Sequence, residues 1–336
     1  MKQIVSLNGP AGAVPLRRLS KKLMDIILHL GAHRTATTSF QRYLRSNADA
    51  ILASGTGIWG PLRTRKGLFA GLFPVPGHAM PGATPERVNG RIAFQLAKSR
   101  DAGLARLLIS DENMIGCSRD CVRTGALFPA IGERMARYSA AFDHRINRIV
   151  LTIRSPEMWW SSAAAYAVSR GHQLPDQAKL SRIAMSPRSW RDVIVDLACA
   201  MPNTDIQVSC FEEYAGHPND LLAQATGVAA PPDVQRHWAN RAPDLPALRA
   251  ILAERGQDAD LLPDSTGRWN PFTPSQAEAL RETYSDDLFW LAAGADGLAK
   301  MTRNPTRKRA GTSQPTGDII KGHNNDSRQR YLAQSG

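Results

Sequence analysis

The sequence predicts an α/β protein in which a parallel central sheet is flanked by helices in a three-layer sandwich. Four short apolar runs alternate with segments of helical periodicity, a pattern typical of the β-α units that build parallel sheets. The runs contain few polar residues, as expected for strands covered on both faces. The predicted strands are residues 26–30, 104–110, 146–153 and 205–211.

The chain has 336 residues and a net charge of +12. Residues 1–22 carry +5 and residues 301–336 carry another +5, so the two ends account for +10 of the total. A nucleic-acid-binding fold would concentrate its charge on the folded body, so we expect no specific nucleic-acid partner. We therefore predict a basic flexible arm over 1–22, an α/β domain over 23–300 and a basic disordered tail over 301–336.

The sequence gives little indication of a membrane-spanning segment, a signal peptide or a metal site. No run of 18 apolar residues occurs, so we expect no transmembrane segment. The first 22 residues lack a continuous apolar segment and make a poor signal peptide. Cys117 and Cys121 have a spacing that suits one helix face, and no set of cysteines and histidines has zinc spacing. Reduced thiols and a cytoplasmic location are the expectation.

Helical segments connect the predicted strands. Pro85 and Pro218 suit first helical turns, and Thr273 begins another helix. Two stretches, residues 60–85 and 171–187, are rich in turn-forming or polar residues and are predicted to be irregular. The predicted helices cover residues 37–53, 85–99, 128–142, the segment from 156 through 166, 190–200 and 218–226. Residues 230–300 are predicted to be helices and loops that pack on the sheet.

The segment that follows the first strand has the composition of an anion-binding loop. A loop that joins a strand to a helix N-terminus presents free backbone N–H groups and the positive end of the helix dipole. Hydroxyl side chains and an arginine add further donors. The candidate anion-binding residues are Gly31, His33, Arg34, Thr35, Ala36, Thr37, Thr38 and Ser39.

This loop lacks the Gly-Lys pair of the ATP-binding P-loop, because Ala36 and Thr37 stand before Thr38. It resembles the 5′-phosphosulfate loop of sulfotransferases that use 3′-phosphoadenosine 5′-phosphosulfate (PAPS), whose usual form is G-x-x-[KR]-[TS]-[GA]-T-[TS] after a strand. The sequence GAHRTATT fits every defined position, with Arg34 in place of the commoner lysine and Ala36 in place of the commoner glycine. The resemblance implies a P-loop-type sandwich.

A second motif of that family follows the third predicted strand. Sulfotransferases have R-x-P after this strand and a serine eight residues after the arginine. Here Arg154-Ser155-Pro156 ends the strand, and Ser162 stands eight residues after Arg154. The resemblance, which covers about residues 24–228, implies that Arg154 and Ser162 hold the 3′-phosphate of PAPS. A strand-end guanidinium suits a dianionic phosphate on physical grounds as well.

The resemblance implies transfer of a sulfuryl group from PAPS, with no metal required, to a hydroxyl or amine of an unidentified acceptor. Arg34 would stabilise the leaving phosphate. For the base that activates the acceptor, Glu112 is the first choice and Asp111 the second, since both follow a strand and a neighbouring carboxylate raises the pKa. His33 and His78 remain alternatives. Helix capping by Asp111 and Glu112 is about equally expected.

Several alternatives stay open. Trp59 and Trp160 could stack on adenine, although core packing is the favoured expectation. The segment 60–85 is expected to line the acceptor cleft, and the acceptor could be a carbohydrate, a lipid head group or a small metabolite. A P-loop kinase or nucleotide hydrolase acting on ATP is the main alternative function, and a non-catalytic module that binds adenosine phosphates is the second.

Overall fold

A computed structural model describes residues 24–73, 84–234 and 238–305. The expected arm over residues 1–22, most of the expected tail and His78 lie outside these ranges. The described residues up to Asn304 belong to one compact unit. The strands in this part of the chain are β1 (Asp25–His29), β2 (Thr56–Trp59), β3 (Arg106–Ser110), β4 (Arg148–Ile153), β5 (Asp205–Cys210) and β6 (Lys300–Thr302).

These strands form one parallel sheet in the order β2-β3-β1-β4-β5-β6. Strand β1 lies in the interior, where Leu28 pairs with Ile109 of β3 and with Ile149 of β4. Helices cover both faces of the sheet, which confirms the predicted three-layer α/β sandwich. No described helix is long and apolar enough to cross a membrane.

Thirteen α-helical segments occur within the described residues. They are α1 (Thr37–Ser46), α2 (Ala48–Ala53), α3 (Pro61–Arg63), α4 (Pro85–Asp101), α5 (Ser118–Thr124), α6 (Ile131–Ala141), α7 (Pro156–Ser169), α8 (Gln177–Ala184), α9 (Trp190–Ala200), α10 (Phe211–Tyr214), α11 (Pro218–Thr226), α12 (Leu245–Glu254) and α13 (Pro274–Ala292). Short turns of 3₁₀ or π-helix are Thr64–Leu68, Glu112–Ile115, Ala259–Leu261 and Ala295–Gly297.

Alternation along the strands divides the core between the two faces. Ile27, Leu108 and Val150 pack with the apolar residues of α1, α2 and α11. The neighbouring strand residues Ile26 and Leu28 pack on the opposite side, in a larger cluster with α4, α6, α7, α9 and α13. Both faces are buried, which explains why the middle positions of the central strands are mostly apolar, with polar residues mainly at the strand ends.

The sheet has a crevice between β1 and β4. After β1 the chain continues into α1 on one face of the sheet, whereas after β4 it continues into α7 on the other face. Adjacent parallel strands whose connections leave onto opposite faces open a gap at their carboxyl ends, where ligands of α/β proteins bind. The loops that carry Arg34 and Arg154 both begin at this gap.

The structure also contains elements that the sequence analysis did not predict. Residues 56–59 form an edge strand that is not among the four predicted strands. The segment 171–187 was expected to be irregular, but α8 lies inside it, and Asp176 caps its N-terminus by accepting a hydrogen bond from the Lys179 N–H group. Strand β6 includes residues 301 and 302, so the ordered domain continues past the predicted boundary at 300.

A buried carboxylate on α13 holds the N-terminus of α9. Asp287 accepts hydrogen bonds from the Ser189 hydroxyl at 2.7 Å and from the Trp190 N–H group at 3.0 Å. The indole of Trp190 in turn donates to the Arg154 carbonyl at 2.7 Å. Asp287 therefore connects the helical layer to the loop after β4.

Replacing this carboxylate, Asp287→Ala, should lower the free energy of unfolding by about 2 kcal/mol, because buried donors at the start of α9 lose their acceptor. Urea denaturation would measure the change. The adjacent exposed residue supplies the control, and Asp286→Ala should change stability by less than about 0.5 kcal/mol. Equal effects of the two substitutions would show that the cap does not stabilise α9.

Candidate functional site

The loop between β1 and α1 has an unusual backbone. Arg34 and Ala36 both have positive φ angles, 68° and 62°. The left-handed conformation costs a non-glycine residue roughly 1–2 kcal/mol, so Ala36 stands where glycine would be free of strain. The Thr35 hydroxyl donates to the Ala32 carbonyl at 2.5 Å, and the Thr37 hydroxyl donates to the Gly31 carbonyl at 3.2 Å. Thr35 and Thr37, which were both predicted to bind an anion, thus use their side-chain hydroxyls to stabilise the loop.

The N-terminus of α1 provides donors for an anion. The backbone N–H groups of residues 36–39 have no acceptor among the described residues, as expected in a first helical turn. The Thr38 hydroxyl accepts a hydrogen bond from the Asn240 amide, and the Ser39 hydroxyl accepts one from the Ala239 N–H group, each at 3.0 Å. Each hydroxyl keeps its own proton for donation to a ligand.

Arg34 lies against α7 beside these donors. Its Nε donates to the Ser162 hydroxyl at 2.9 Å, and its guanidinium stacks on the Tyr166 ring at 4.7 Å. Burial lowers the pKa of the Arg34 guanidinium from its ordinary value. Ser162, expected near the far phosphate of the donor, therefore contacts the arginine of the first loop directly.

Arg154 ties the two loops together. Its Nη1 donates to the Arg34 carbonyl at 3.0 Å, and its guanidinium lies over the Phe211 ring at 4.5 Å. The side chain is buried, and its Nε has no hydrogen-bond partner among the described residues. Burial of a cationic donor that lacks a hydrogen-bond partner costs free energy. A bound anion would supply the missing acceptor.

Positive charges outnumber negative charges around Arg154. Burial, together with the charges of Arg268 and Arg34, lowers the pKa of Arg154 to about 10, while Glu212 opposes the shift. Glu212 itself accepts hydrogen bonds from the Ser155 N–H group and the Tyr284 hydroxyl. Three guanidinium groups therefore act on one small region, which favours the binding of a multiply charged anion.

Asp111, the second choice for a catalytic base, makes hydrogen bonds and an ion pair that hold the surrounding loops. It caps the short helix 112–115 by accepting from the Asn113 N–H group at 3.0 Å. It also accepts from the Thr64 hydroxyl at 2.5 Å and from the Arg65 guanidinium at 2.6 Å. Both carboxylate oxygens are occupied, which argues against a role for Asp111 as a base.

Glu112 lines a cavity of about 80 Å³ together with Arg34 and His33. Burial raises the pKa of Glu112, but the charge of Arg65 at 2.9 Å and hydrogen bonds, including one from Gln41, outweigh it and hold the pKa below 4.5. The expected upward shift is therefore wrong. Both neighbouring carboxylates contact the same guanidinium of Arg65, so their mutual repulsion is neutralised.

His33 lines the same cavity and has a free nitrogen. Its Nε2 lies 3.1 Å from the Asn113 Oδ1 atom, an acceptor, so Nε2 carries the proton. The buried Nδ1 then bears a lone pair and has no partner among the described residues. Burial lowers the pKa of His33 below 6.5, although Glu112 opposes this. The imidazole is neutral at pH 7 and able to accept a proton.

The two sequence motifs predict Arg34, Arg154, Ser162 and the loop as site residues, and the structure brings these together at the crevice. Trp59 and Trp160 are buried, in keeping with the favoured expectation of core packing. Several site residues were missed. Tyr166 follows Ser162 by four positions on a helix, which is a readable signal that both face Arg34. By contrast, Ala239, Asn240 and Arg268 carried no sequence signal.

Comparisons with protein-family models, with curated proteins and with solved structures gave no match to this chain.

The first glycine of the loop has no room for a side chain. A Cβ atom on Gly31 would lie 2.4 Å from the Thr37 hydroxyl oxygen and 3.0 Å from the His29 ring. Gly31→Ala should therefore displace the loop and lower the free energy of unfolding by about 1–3 kcal/mol. Thermal denaturation would measure this loss.

A second glycine provides the matched control. Nothing lies within 4 Å of a Cβ atom on Gly60, and its φ of −102° suits any residue. Gly60→Ala should leave stability within about 0.5 kcal/mol of the wild type. If Gly31→Ala were equally harmless, the close packing of the loop against Thr37 would be wrong.

Proposed function

We propose that the protein is a PAPS-dependent sulfotransferase that moves a sulfuryl group to a hydroxyl or amine acceptor. The observation that carries this proposal is the pairing of Arg34 and Arg154 at the crevice between β1 and β4, with an unpartnered Nε on Arg154. The chemistry of this site suits a ligand with two separate anionic ends. The sequence resemblance, in both loops and in family order, supports the same assignment.

The residues divide between the two ends of the donor. The N–H groups of residues 36–39 and the hydroxyls of Thr38 and Ser39 would hold the 5′-phosphosulfate at the start of α1. Arg154 would bind the 3′-phosphate through its free Nε, with Ser162 beside it. Arg268 adds positive charge at that end. No metal is part of this proposal.

Transfer requires one bond to break and one to form. The S–O bond to the 5′-phosphate breaks and leaves its electron pair on the phosphate oxygen, while the acceptor oxygen forms a new bond to sulfur. Arg34 would stabilise the negative charge that develops on the leaving oxygen, an effect typically worth about 10²–10³ in rate. The acceptor's proton passes to a base, and the products are 3′-phosphoadenosine 5′-phosphate (PAP) and a sulfate ester.

We assign the base to His33 in preference to Glu112. The imidazole is unprotonated at neutral pH and keeps Nδ1 available, whereas the Glu112 carboxylate is held by Arg65 and Gln41. The lowered pKa of Glu112 also disfavours proton uptake by this carboxylate. The cytoplasmic location predicted from the cysteine pattern stays a prediction.

Titration with PAP should raise the melting temperature of the wild-type protein by roughly 5–10 °C at a ligand concentration about 100 times the dissociation constant. Arg154→Ala should weaken binding by about 10–100-fold, because a charge-assisted hydrogen bond is lost. Differential scanning fluorimetry measures both effects. Arg182→Ala, which removes an exposed guanidinium on α8, is the control and should bind PAP normally.

The same titration with ATP and magnesium distinguishes the main alternative. A response to ATP and magnesium without a response to PAP would contradict the sulfotransferase assignment and favour a kinase or nucleotide hydrolase. Binding of PAP without any turnover of PAPS would instead favour a module that senses adenosine phosphates.

Hydrolysis of PAPS, with water as the acceptor, tests the base. His33→Gln keeps a donor for Asn113 but removes the basic nitrogen, and the rate should fall by about 10²–10⁴-fold. Glu112→Gln should retain most of the rate. Because protonation inactivates the base, the wild-type rate should be constant near pH 7 and fall at a pH below 6.5. A large loss of rate in Glu112→Gln, with little loss in His33→Gln, would return the role to Glu112.

A further inference from the structure

A large open cavity borders helices α5 and α7. Its volume is about 610 Å³, within the range of sites that bind small organic ligands. Helices α5 and α7 and the segment that leads into α8 form its walls. Val122, Leu174 and Pro175 provide apolar surface, and Arg119, Arg123 and Lys179 provide positive charge.

The acidic residues of this cavity are already engaged. Asp176 accepts from the Lys179 backbone N–H group at 2.7 Å as the cap of α8. Asp120 accepts from the Cys117 thiol at 3.0 Å and lies 3.7 Å from the Arg123 guanidinium. The Arg119 and Lys179 side chains, in contrast, have no ion-pair partner among the described residues. With Arg119, Arg123 and Lys179 against Asp120 and Asp176, the lining keeps a net charge of +1 that an acidic ligand could neutralise.

Two helices that line this cavity also line the one that contains Arg34. Ser118 of α5 and Tyr166 of α7 line the smaller cavity, and the next residue on each helix, Arg119 and Ala167, lines the larger one. Tyr166 stacks on Arg34 and also lies 5.2 Å from the Arg170 guanidinium. The two cavities thus share α5 and α7 as walls.

We propose that this cavity binds the acceptor and that the acceptor is an acidic saccharide, with carboxylate or sulfate groups beside the hydroxyl that is modified. This inference rests on the proposed function. Apolar side chains suit the C–H faces of sugar rings, while Arg119 and Lys179 pair with the acidic groups. Neutral saccharides lack the charges that these two side chains recognise.

The test is isothermal titration calorimetry of the full-length protein with a chondroitin sulfate tetrasaccharide, with and without saturating PAP. Neutral maltotetraose is the comparison ligand. The acidic tetrasaccharide should bind, with an affinity that falls as salt rises, and maltotetraose should not. Arg119→Ser combined with Lys179→Ser should weaken binding of the acidic ligand by about tenfold or more.

Two arginines on α1 supply a matched control. Arg42 and Arg45 are exposed on a helix that packs on the opposite face of the sheet. Arg42→Ser combined with Arg45→Ser removes the same charge and should leave tetrasaccharide binding unchanged. Equal binding of maltotetraose, no binding of the acidic ligand, or no effect of the cavity substitutions would overturn the inference. Binding to phosphatidylserine vesicles in place of the tetrasaccharide would overturn it as well.

The two proposals fail in different ways. If the cavity variant binds PAP normally but also binds the tetrasaccharide like the wild type, the acceptor inference is wrong and the donor site stands. If the wild type binds no PAP, the proposed function is wrong, and the acceptor inference, which rests on that function, falls with it.

Discussion

The hydrogen bond from Arg154 Nη1 to the Arg34 carbonyl is the contact on which the site depends. It joins the loop after β1 to the loop after β4, so the crevice between two adjacent strands has a defined width. Two buried indoles also hold these loops. Trp159 donates a hydrogen bond to the His33 carbonyl, and Trp190 donates one to the Arg154 carbonyl. Main-chain atoms are thus positioned by buried side chains, which is a rigid way to support an anion site.

This rigidity places like charges close together. Arg34 and Arg268 both repel Arg154, and Glu212 offsets only part of that repulsion. Folding keeps them there because the surrounding core contributes far more free energy than the cluster loses. Such a cluster is complementary to a ligand with two or more negative charges, and a bound ligand would stabilise the protein in proportion to its affinity. The site is therefore preorganised at the expense of stability.

Sequence reasoning predicted the sandwich, the central strands and the arginines, because periodicity and motif spacing are local properties. It did not predict the features of the site and the sheet that depend on tertiary contacts. The direction of the Glu112 pKa shift depends on Arg65, which lies 47 positions earlier in the sequence. A kinked π-helical turn places the Arg65 side chain next to Glu112. Strand β6 has three residues and exists because it pairs with β5. Nothing in their local sequence shows that Arg268 and the residues around 239 lie beside the loop.

The contact between Asn240 and Thr38 spans 202 positions of the chain, and the one between Ala239 and Ser39 spans 200. Contacts of such high sequence separation contribute strongly to contact order, and the loop entropy must be overcome before they yield any stability. The first turn of α1 can form early with β1, whereas its covering segment can dock only after the sheet is assembled. Trp238 and Asn240 of this segment are exposed, and a segment with so little buried surface opens by local unfolding more readily than the central strands do.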